Sequence, residues 1–219
     1  MKLRLQISHI HKNYNGKRVL RDCSFSFHES GAYVLMGPNG SGKSTLFRLC
    51  ALLEQPDKGE ITYLSGDTIV PQEIQLRRHI TLVLPKIGVF NATVFKNVAY
   101  GLRIRGMGKK EISEKVERSL EFVGLTNRKN QNALTLSSGE TQRLGIARAI
   151  VIEPEIIFLD EPTAFVDEEN KRIIEDIILK IKRDGSSMVI ITTHDRTQAE
   201  KLTDRLLFLQ DGKLSLAAE

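Results

Sequence analysis

Gly37-Pro38-Asn39-Gly40-Ser41-Gly42-Lys43-Ser44-Thr45 is the stretch that decides the fold of this chain, and it fits the pattern G-x-x-x-x-G-K-[ST]. In this pattern the glycines let successive backbone N–H groups point into one concavity, where they bind phosphate oxygens. Lys43 brings a cation to the β- and γ-phosphates, and Ser44 offers a hydroxyl to Mg²⁺. The stretch therefore predicts a loop that binds ATP or GTP.

The residues on either side of this loop favour the same interpretation. Residues 32–36, AYVLM, are a short apolar run typical of a buried strand, and residues 44–53, STLFRLCALL, have helical character. The phosphates would then lie at a helix N-terminus, where free N–H groups and the helix dipole favour anions. An accidental glycine-rich turn is the alternative, and a strand and a helix in these positions argue against it.

Composition limits the classes of protein to be considered. The 219 residues suffice for one domain with its own core. Lysine, arginine and histidine interrupt the first twenty residues, which argues against a signal peptide, and no apolar run reaches the roughly 20 residues that span a bilayer. The formal net charge of +5 is spread along the chain, so we expect a solvated surface and no nucleic-acid partner. Cys23 and Cys50 lack metal-ligand spacing and are expected to be buried core residues.

The N-terminal region has the pattern of an antiparallel sheet. Residues 3–7, LRLQI, alternate apolar and polar side chains like a half-exposed strand, and residues 24–27, SFSF, do so again. A turn is expected at 29–31, where Glu-Ser-Gly follows.

Three later apolar runs predict a different sheet. Residues 34–36, 156–159 and 188–192 are almost continuously apolar, as expected of parallel strands covered by helices on both faces. Residues 168–183 between the last two predict a helix that ends at Asp184-Gly185. Its core-facing stripe consists of Ile173, Ile174, Ile177, Ile178 and Ile181.

A mainly helical segment separates the phosphate loop from the later motifs. Residues 111–123 have apolar side chains at helical spacing and end at Gly124. We therefore predict one α/β domain over residues 1–219, with a helical subdomain at about 86–150.

Two carboxylates follow the apolar strand at 156–159, in the stretch Asp160-Glu161-Pro162. Ligands of parallel sheets bind outside the C-terminal ends of the strands, so we expect this pair beside the phosphate loop. Asp160 would hold Mg²⁺ through water, and Glu161 would polarise the attacking water. A solvated turn after the strand is the alternative, which the phosphate loop makes the weaker one.

Leu136-Ser137-Ser138-Gly139-Glu140, before a helix-forming segment at 141–150, resembles the LSGGQ signature of the ATP-binding cassette family. Other motifs occur in the family's order, so the resemblance covers essentially the whole chain. Tyr14 matches the aromatic residue that stacks on adenine, and Asp167 belongs to the loop that follows the acidic pair. His194 matches the switch histidine that reads the γ-phosphate.

This resemblance implies a fold and a mechanism. The fold would be a P-loop NTPase core with a mainly parallel sheet, an N-terminal antiparallel β subdomain and a helical subdomain. Two cassettes would close head to tail on ATP and Mg²⁺, with Ser137 and Gly139 acting on the partner's γ-phosphate and Ser138 between them also in the nucleotide-binding set. Lys43, Glu161 and His194 would be the catalytic residues. The cassette would energise separate transmembrane permease subunits from the cytoplasmic face of the cell membrane, together with an external solute-binding protein if it is an importer.

The sequence departs from the family pattern at three positions. Pro85 stands where the family has a glutamine that contacts Mg²⁺ and the attacking water, and proline has no side-chain oxygen to replace it. Three alternatives follow. Lys86 or Gln72 replaces the contacts of the glutamine, or water completes the Mg²⁺ shell, or ATP turnover is weak. Ser138 replaces the first signature glycine, and Glu140 adds a negative charge near the expected dimer interface.

These observations leave several functions open. The ATP-hydrolysing subunit of a membrane transporter is the leading interpretation, and a soluble cassette recruited to DNA repair or translation is the main rival. Among transporters, an importer is favoured over a standalone exporter cassette. A soluble nucleotide-binding switch with weak hydrolysis is the third, because of Pro85 and Ser138. Nothing in the sequence identifies the transported substrate.

Overall fold

The computed structural model describes residues 2–28 and 31–217. The strands are Leu3–Tyr14 (β1), Lys17–Phe27 (β2), Ala32–Met36 (β3), Lys58–Ser65 (β4), Thr68–Ile69 (β5), Ile80–Val83 (β6), Ile156–Asp160 (β7), Met188–Thr192 (β8), Arg205–Gln210 (β9) and Lys213–Leu216 (β10). The α-helices are Lys43–Cys50 (α1), Ile74–Arg78 (α2), Val94–Ile104 (α3), Lys109–Phe122 (α4), Ser138–Ile150 (α5), Glu168–Asp184 (α6) and Arg196–Leu202 (α7). Glu29 and Ser30, where a turn was predicted, lie outside the described residues.

The predicted antiparallel sheet is confirmed, with the strand order β2-β1-β4-β5. Leu3, Leu5 and Ile7 are buried on one face of β1, as the alternating pattern predicts. Leu5 pairs with Phe27 of β2 on one side and with Tyr63 of β4 on the other. Cys23 and Cys50 are buried in the core beneath this sheet, and burial raises the pKa of both thiols.

The larger sheet has the order β10-β9-β3-β8-β7-β6, and its strands are parallel except for β10 at one edge. Every residue of β3, β7 and β8 is buried, which explains their continuous apolar runs. The C-terminal ends of these neighbouring strands lead into the phosphate loop, the acidic pair and His194. The α/β fold class is therefore confirmed, and the sheet brings the predicted motifs to one edge.

The helix α6 forms as predicted and ends at Gly185, whose φ of 65° is the left-handed conformation that suits glycine. Ile174, Ile177 and Ile178 of its stripe are buried, and Ile173 packs partly buried against the same core. This stripe is core packing, as the sequence indicated.

Helices α3, α4 and α5 pack on one another within the range predicted as a helical subdomain. Their buried side chains, such as Val98, Val116 and Leu144, continue into the core that covers β7 and β8. The start of α5 corrects the sequence prediction, because this helix begins at Ser138 and not at residue 141. Ser137 caps the helix, so the signature residues belong to its first turn. None of the helices in the described ranges is long and apolar enough to cross a membrane.

Candidate functional site

The phosphate loop joins the end of β3 to the start of α1, and two of its glycines lie too close to neighbouring residues to carry a side chain. A Cβ on Gly37 would lie 2.2 Å from the carbonyl oxygen of Leu209, and one on Gly42 would lie 2.9 Å from a methyl of Leu20. Both glycines have positive φ, at 153° and 107°. The loop is therefore shaped by its neighbours as well as by its own sequence.

Lys43 is a buried cation in this loop, with only 5 % of its surface exposed. Its Nζ donates to the carbonyl oxygens of Gly37 at 2.8 Å and Pro38 at 3.2 Å. The hydroxyl of Ser41 is buried and has no hydrogen-bond partner among the residues described. A buried ammonium and an unpaired buried hydroxyl in one loop fit an anion that supplies oxygen acceptors, because buried polar groups are normally paired.

The acidic pair lies at the end of β7, as predicted. Asp160 is buried, and Glu161 follows with a φ of 43°, in the left-handed region that non-glycine residues rarely adopt. The Glu161 carboxylate lies near an ammonium and an imidazole. Glu161 Oε1 lies 3.7 Å from Lys43 Nζ, and Glu161 Oε2 lies 3.4 Å from His194 Nδ1. The structure thus brings together the three residues predicted to be catalytic.

Tyr14 lies at the end of β1 and is about one third exposed. Its hydroxyl donates to the carboxylate of Glu54, which also accepts from Arg48 Nε of α1 at 2.6 Å. The Tyr14 hydroxyl and the Arg48 guanidinium hold the pKa of Glu54 below its ordinary value. Lys12 Nζ lies 5.5 Å from the centre of the Tyr14 ring. The ring is therefore fixed to the helix that follows the phosphate loop.

The signature segment begins with a capping box. The hydroxyl of Ser137 accepts from the N–H of Glu140 at 3.2 Å, and Glu140 Oε2 accepts from the N–H of Ser137 at 2.9 Å. Glu140 also pairs with Arg128 at 2.8 Å. The Ser137 N–H and Arg128 keep the pKa of Glu140 low. Its capping role was missed, although S-x-x-E at 137–140 is the sequence signal for it.

A contact from α6 explains the glycine in the signature. Asp167 caps α6 by accepting from the N–H of Asn170 at 2.8 Å, and it also binds the Asn170 amide at 2.9 Å. The N–H and side chain of Asn170 lower the pKa of Asp167. A Cβ on Gly139 would lie 2.1 Å from Cγ of Asn170. Asn170 therefore joins the loop after the acidic pair to the signature, a link that no local sequence signal indicated.

The signature has no polar link to the phosphate loop among the residues that the structure describes. Among the described residues, no hydrogen bond or ion pair links Ser137, Ser138 or Gly139 to the phosphate loop. The hydroxyl side of the signature is exposed at Ser137 and Ser138. Ser137 and Ser138 are thus accessible to another molecule, whereas Gly139 is buried.

The segment around Pro85 follows β6 without regular structure. Lys86 Nζ lies 5.6 Å from the ring centre of Phe165, an exposed residue in the loop before Asp167. Gln72 donates its amide to the carbonyl oxygen of Ile61 at 2.6 Å. The two side chains considered as replacements for the family glutamine are therefore engaged elsewhere.

Comparisons with known proteins agree with this geometry. The family model described as ABC transporter matches residues 20–164. The chain is 34% identical over 215 residues to the tungstate uptake system ATP-binding protein TupC of Peptoclostridium acidaminophilum, with 98% of each chain covered. It is 34% identical over 223 residues to the phosphate import ATP-binding protein PstB 2 of Natronomonas pharaonis. This match covers 96% of this chain and 78% of that protein. The structure of CbiO1 from Clostridium perfringens, described as part of the ABC transporter complex cbiONQ, matches with a TM-score of 0.86 at 26% identity, covering 97% of this chain and 86% of that chain.

Proposed function

The chain belongs to the ABC transporter family, and from that premise we propose that it is the ATP-hydrolysing subunit of an importer. It works as a homodimer on separate permease subunits, peripherally on the inner face of the cell membrane. The observation that carries this proposal is the meeting of Lys43, Glu161 and His194 at the edge of the parallel sheet where the phosphate loop begins.

Each of these groups has a role that suits its surroundings. Residues 37–45 bind the phosphates of ATP, and Lys43 leaves the two carbonyl oxygens it now contacts to neutralise phosphate charge. Glu161 orients and polarises the attacking water, while His194 contacts the γ-phosphate. Tyr14 stacks on adenine with the ring face that Lys12 does not cover.

The donor set also fits Mg²⁺. Among the residues described, no group of three or more His, Cys, Asp or Glu is arranged to hold a metal. Mg²⁺ in nucleotide sites needs no such group, because one or two protein oxygens act with substrate phosphates and water. The hydroxyl of Ser44 and the carboxylate of Asp160 are those oxygens here. When bound, the ion neutralises charge on the β- and γ-phosphates.

The second half of each site comes from the partner subunit. Ser137, Ser138 and Gly139 lie at the N-terminus of α5, where backbone N–H groups favour an anion. They contact the γ-phosphate of ATP bound to the other cassette. Asp167 belongs to the same interface, because Asn170 connects it to Gly139. The lack of any hydrogen bond or ion pair between the signature and the phosphate loop in the described part of the chain supports this arrangement.

The permease docks on a cleft between β6 and the helices α3 and α5. The cleft holds about 250 Å³ and is lined by both apolar and basic side chains. Phe90 and Tyr100 at its side are exposed aromatic residues with ring centres 4.6 Å apart. Arg148 of α5 donates to the carbonyl oxygen of Gly88 at 2.6 Å and lies 5.3 Å from the Phe90 ring. An exposed aromatic pair fixed to the signature helix suits a partner that must sense ATP.

The relatives point to a transport direction, and the cargo is assigned to other subunits. Both relatives are named as parts of uptake or import systems. For this reason we propose that this chain serves import and works with a solute-binding protein outside the membrane. Relatives named for tungstate and for phosphate are equally similar at 34% identity. Identity therefore does not separate their cargoes, and we assign the choice of cargo to the permease and the binding protein.

The dimer gives the direct test of this function. We expect the Glu161→Gln protein to change from monomer to dimer in light scattering when ATP and Mg²⁺ are added, because slow turnover preserves the closed state. Lys43→Ala in the same background is the control that should stay monomeric, since its phosphate site lacks the cation. A Glu161→Gln protein that remains monomeric with ATP demonstrably bound would contradict the head-to-tail dimer.

Pro85 distinguishes a working ATPase from a weakly hydrolysing switch. If the missing glutamine limits catalysis, Pro85→Gln will raise ATP turnover or reduce the Mg²⁺ concentration for half-maximal rate, because an amide oxygen is restored. Gln72 and Lys86 are engaged elsewhere, so we expect an increase. Ile87→Val in the same segment is the control for a general loosening. Unchanged turnover and Mg²⁺ dependence would make Pro85 a tolerated variation.

A further inference from the structure

Thr192 contacts both acids of the site through one hydroxyl. It is the last residue of β8 and pairs in register with Asp160, the last residue of β7. Both side chains are buried, with exposed fractions of 0 % and 2 %. Thr192 Oγ1 donates to Asp160 Oδ1 at 2.6 Å and accepts from the backbone N–H of Glu161 at 2.9 Å.

The direction of these two bonds is fixed by chemistry. A backbone N–H only donates, so the oxygen of Thr192 accepts from Glu161 and its single hydrogen is left for Asp160. Asp160 is buried, and a buried carboxylate is stable only when it is hydrogen-bonded or paired. The hydroxyl therefore orients this carboxylate through Oδ1.

The same hydroxyl acts on the conformation of Glu161. The N–H that it binds belongs to the residue with a φ of 43°, which needs surrounding contacts to stay in the left-handed region. The Glu161 carboxylate depends on this backbone for its position between Lys43 and His194. Removing the Thr192 hydroxyl would therefore release the Asp160 carboxylate and the Glu161 backbone at once.

We propose that Thr192 is a positioning residue for ATP hydrolysis, holding the carboxylate of Asp160 and the backbone of Glu161 in one geometry. This inference rests on the roles proposed above for the two acids. Thr193, the next residue, does not share this positioning role, because its hydroxyl accepts from the N–H of Asp195 at 3.0 Å. Two adjacent buried threonines thus have different partners.

The test compares Thr192→Val, which keeps the shape and loses the hydroxyl, with Thr192→Ser, which keeps the hydroxyl. Ser187→Ala is the matched control. It removes a buried hydrogen bond from the Ser187 hydroxyl to the carbonyl oxygen of Pro154, and Ser187 directly precedes β8. The measurements are ATP turnover against ATP and Mg²⁺ concentration, thermal unfolding, and binding of a fluorescent ATP analogue with and without Mg²⁺.

We expect Thr192→Val to lower kcat by on the order of tenfold or more, the scale for a hydrogen bond to a charged group. Analogue binding without Mg²⁺ should match the parent, while the gain in affinity on adding Mg²⁺ should shrink. Thr192→Ser should restore most of both properties. The control should lose thermal stability and keep both properties.

Several results would overturn the inference. Parental turnover and parental Mg²⁺ response in Thr192→Val would do so. So would a loss of turnover that only follows the loss of thermal stability, as in the control, or a Thr192→Ser protein as impaired as Thr192→Val. If the parent itself fails to hydrolyse ATP, the proposed function fails, and the analogue-binding series still decides the role of Thr192.

Discussion

The Glu161→Gln protein is expected to bind ATP and to lose turnover by a factor on the order of 10² to 10⁴, the usual contribution of a general base. An amide keeps the size of the carboxylate and cannot accept a proton from water. Glu161 Oε1 also lies 3.7 Å from Lys43, close to the expected γ-phosphate. Removing this negative charge relieves repulsion with phosphate, so the affinity for ATP should be equal or higher.

Turnover at saturating ATP and Mg²⁺, with ATP affinity measured separately, checks this expectation. Glu200→Gln is the matched control, because it makes the same chemical change at an exposed carboxylate paired with Arg196 on α7. The control should hydrolyse ATP at the parental rate. If Glu161→Gln also does so, Glu161 is not the residue that orients the attacking water.

The parts of this molecule that could be predicted depend on residues adjacent in the sequence. The phosphate loop, the acidic pair and the buried parallel strands each have a local pattern, so the fold class is confirmed, and so is membership of the ABC family. The start of α5 was predicted wrongly, although S-x-x-E at 137–140 is a local signal. The family resemblance relates Glu140 only to a glutamine and so hides its bond to the backbone of Ser137.

Other features could not be predicted, because they depend on where separate elements meet. Asn170 touches Gly139 only after α6 packs beside α5, and no periodicity in either helix indicates that contact. Thr192 reaches Asp160 because β7 and β8 pair in one particular register. A shift of one residue would point these side chains to opposite faces of the sheet. Polar contacts between elements are thus a consequence of the fold.

The contact at Gly139 leads to the second large effect. Gly139→Ala is expected to reduce ATP turnover by on the order of 10²-fold, the scale for displacing a catalytic group by about 1 Å. The new Cβ would lie 2.1 Å from Cγ and 2.6 Å from Cβ of Asn170, so either the first turn of α5 or the capped end of α6 must move. Both carry residues proposed for the dimer interface. ATP turnover and ATP-dependent dimerisation should therefore fall together, while ATP binding by the single chain is kept.

A second substitution separates the two reasons why an alanine would be harmful here. The variant that makes room is Asn170→Gly, because Asn170→Ala would keep the Cβ that clashes. Asp167 still caps α6 in this variant, because it binds the backbone N–H of residue 170. If the clash within the chain is the cause, Gly139→Ala with Asn170→Gly should recover most of the turnover of Asn170→Gly alone. If the methyl group instead blocks the partner's phosphate, the double variant stays inactive. Gly108→Ala, where a Cβ meets nothing within 4 Å, is the matched control. A Gly139→Ala protein as active as that control would show that Asn170 moves away freely, and the proposed link between Asp167 and the signature would be wrong.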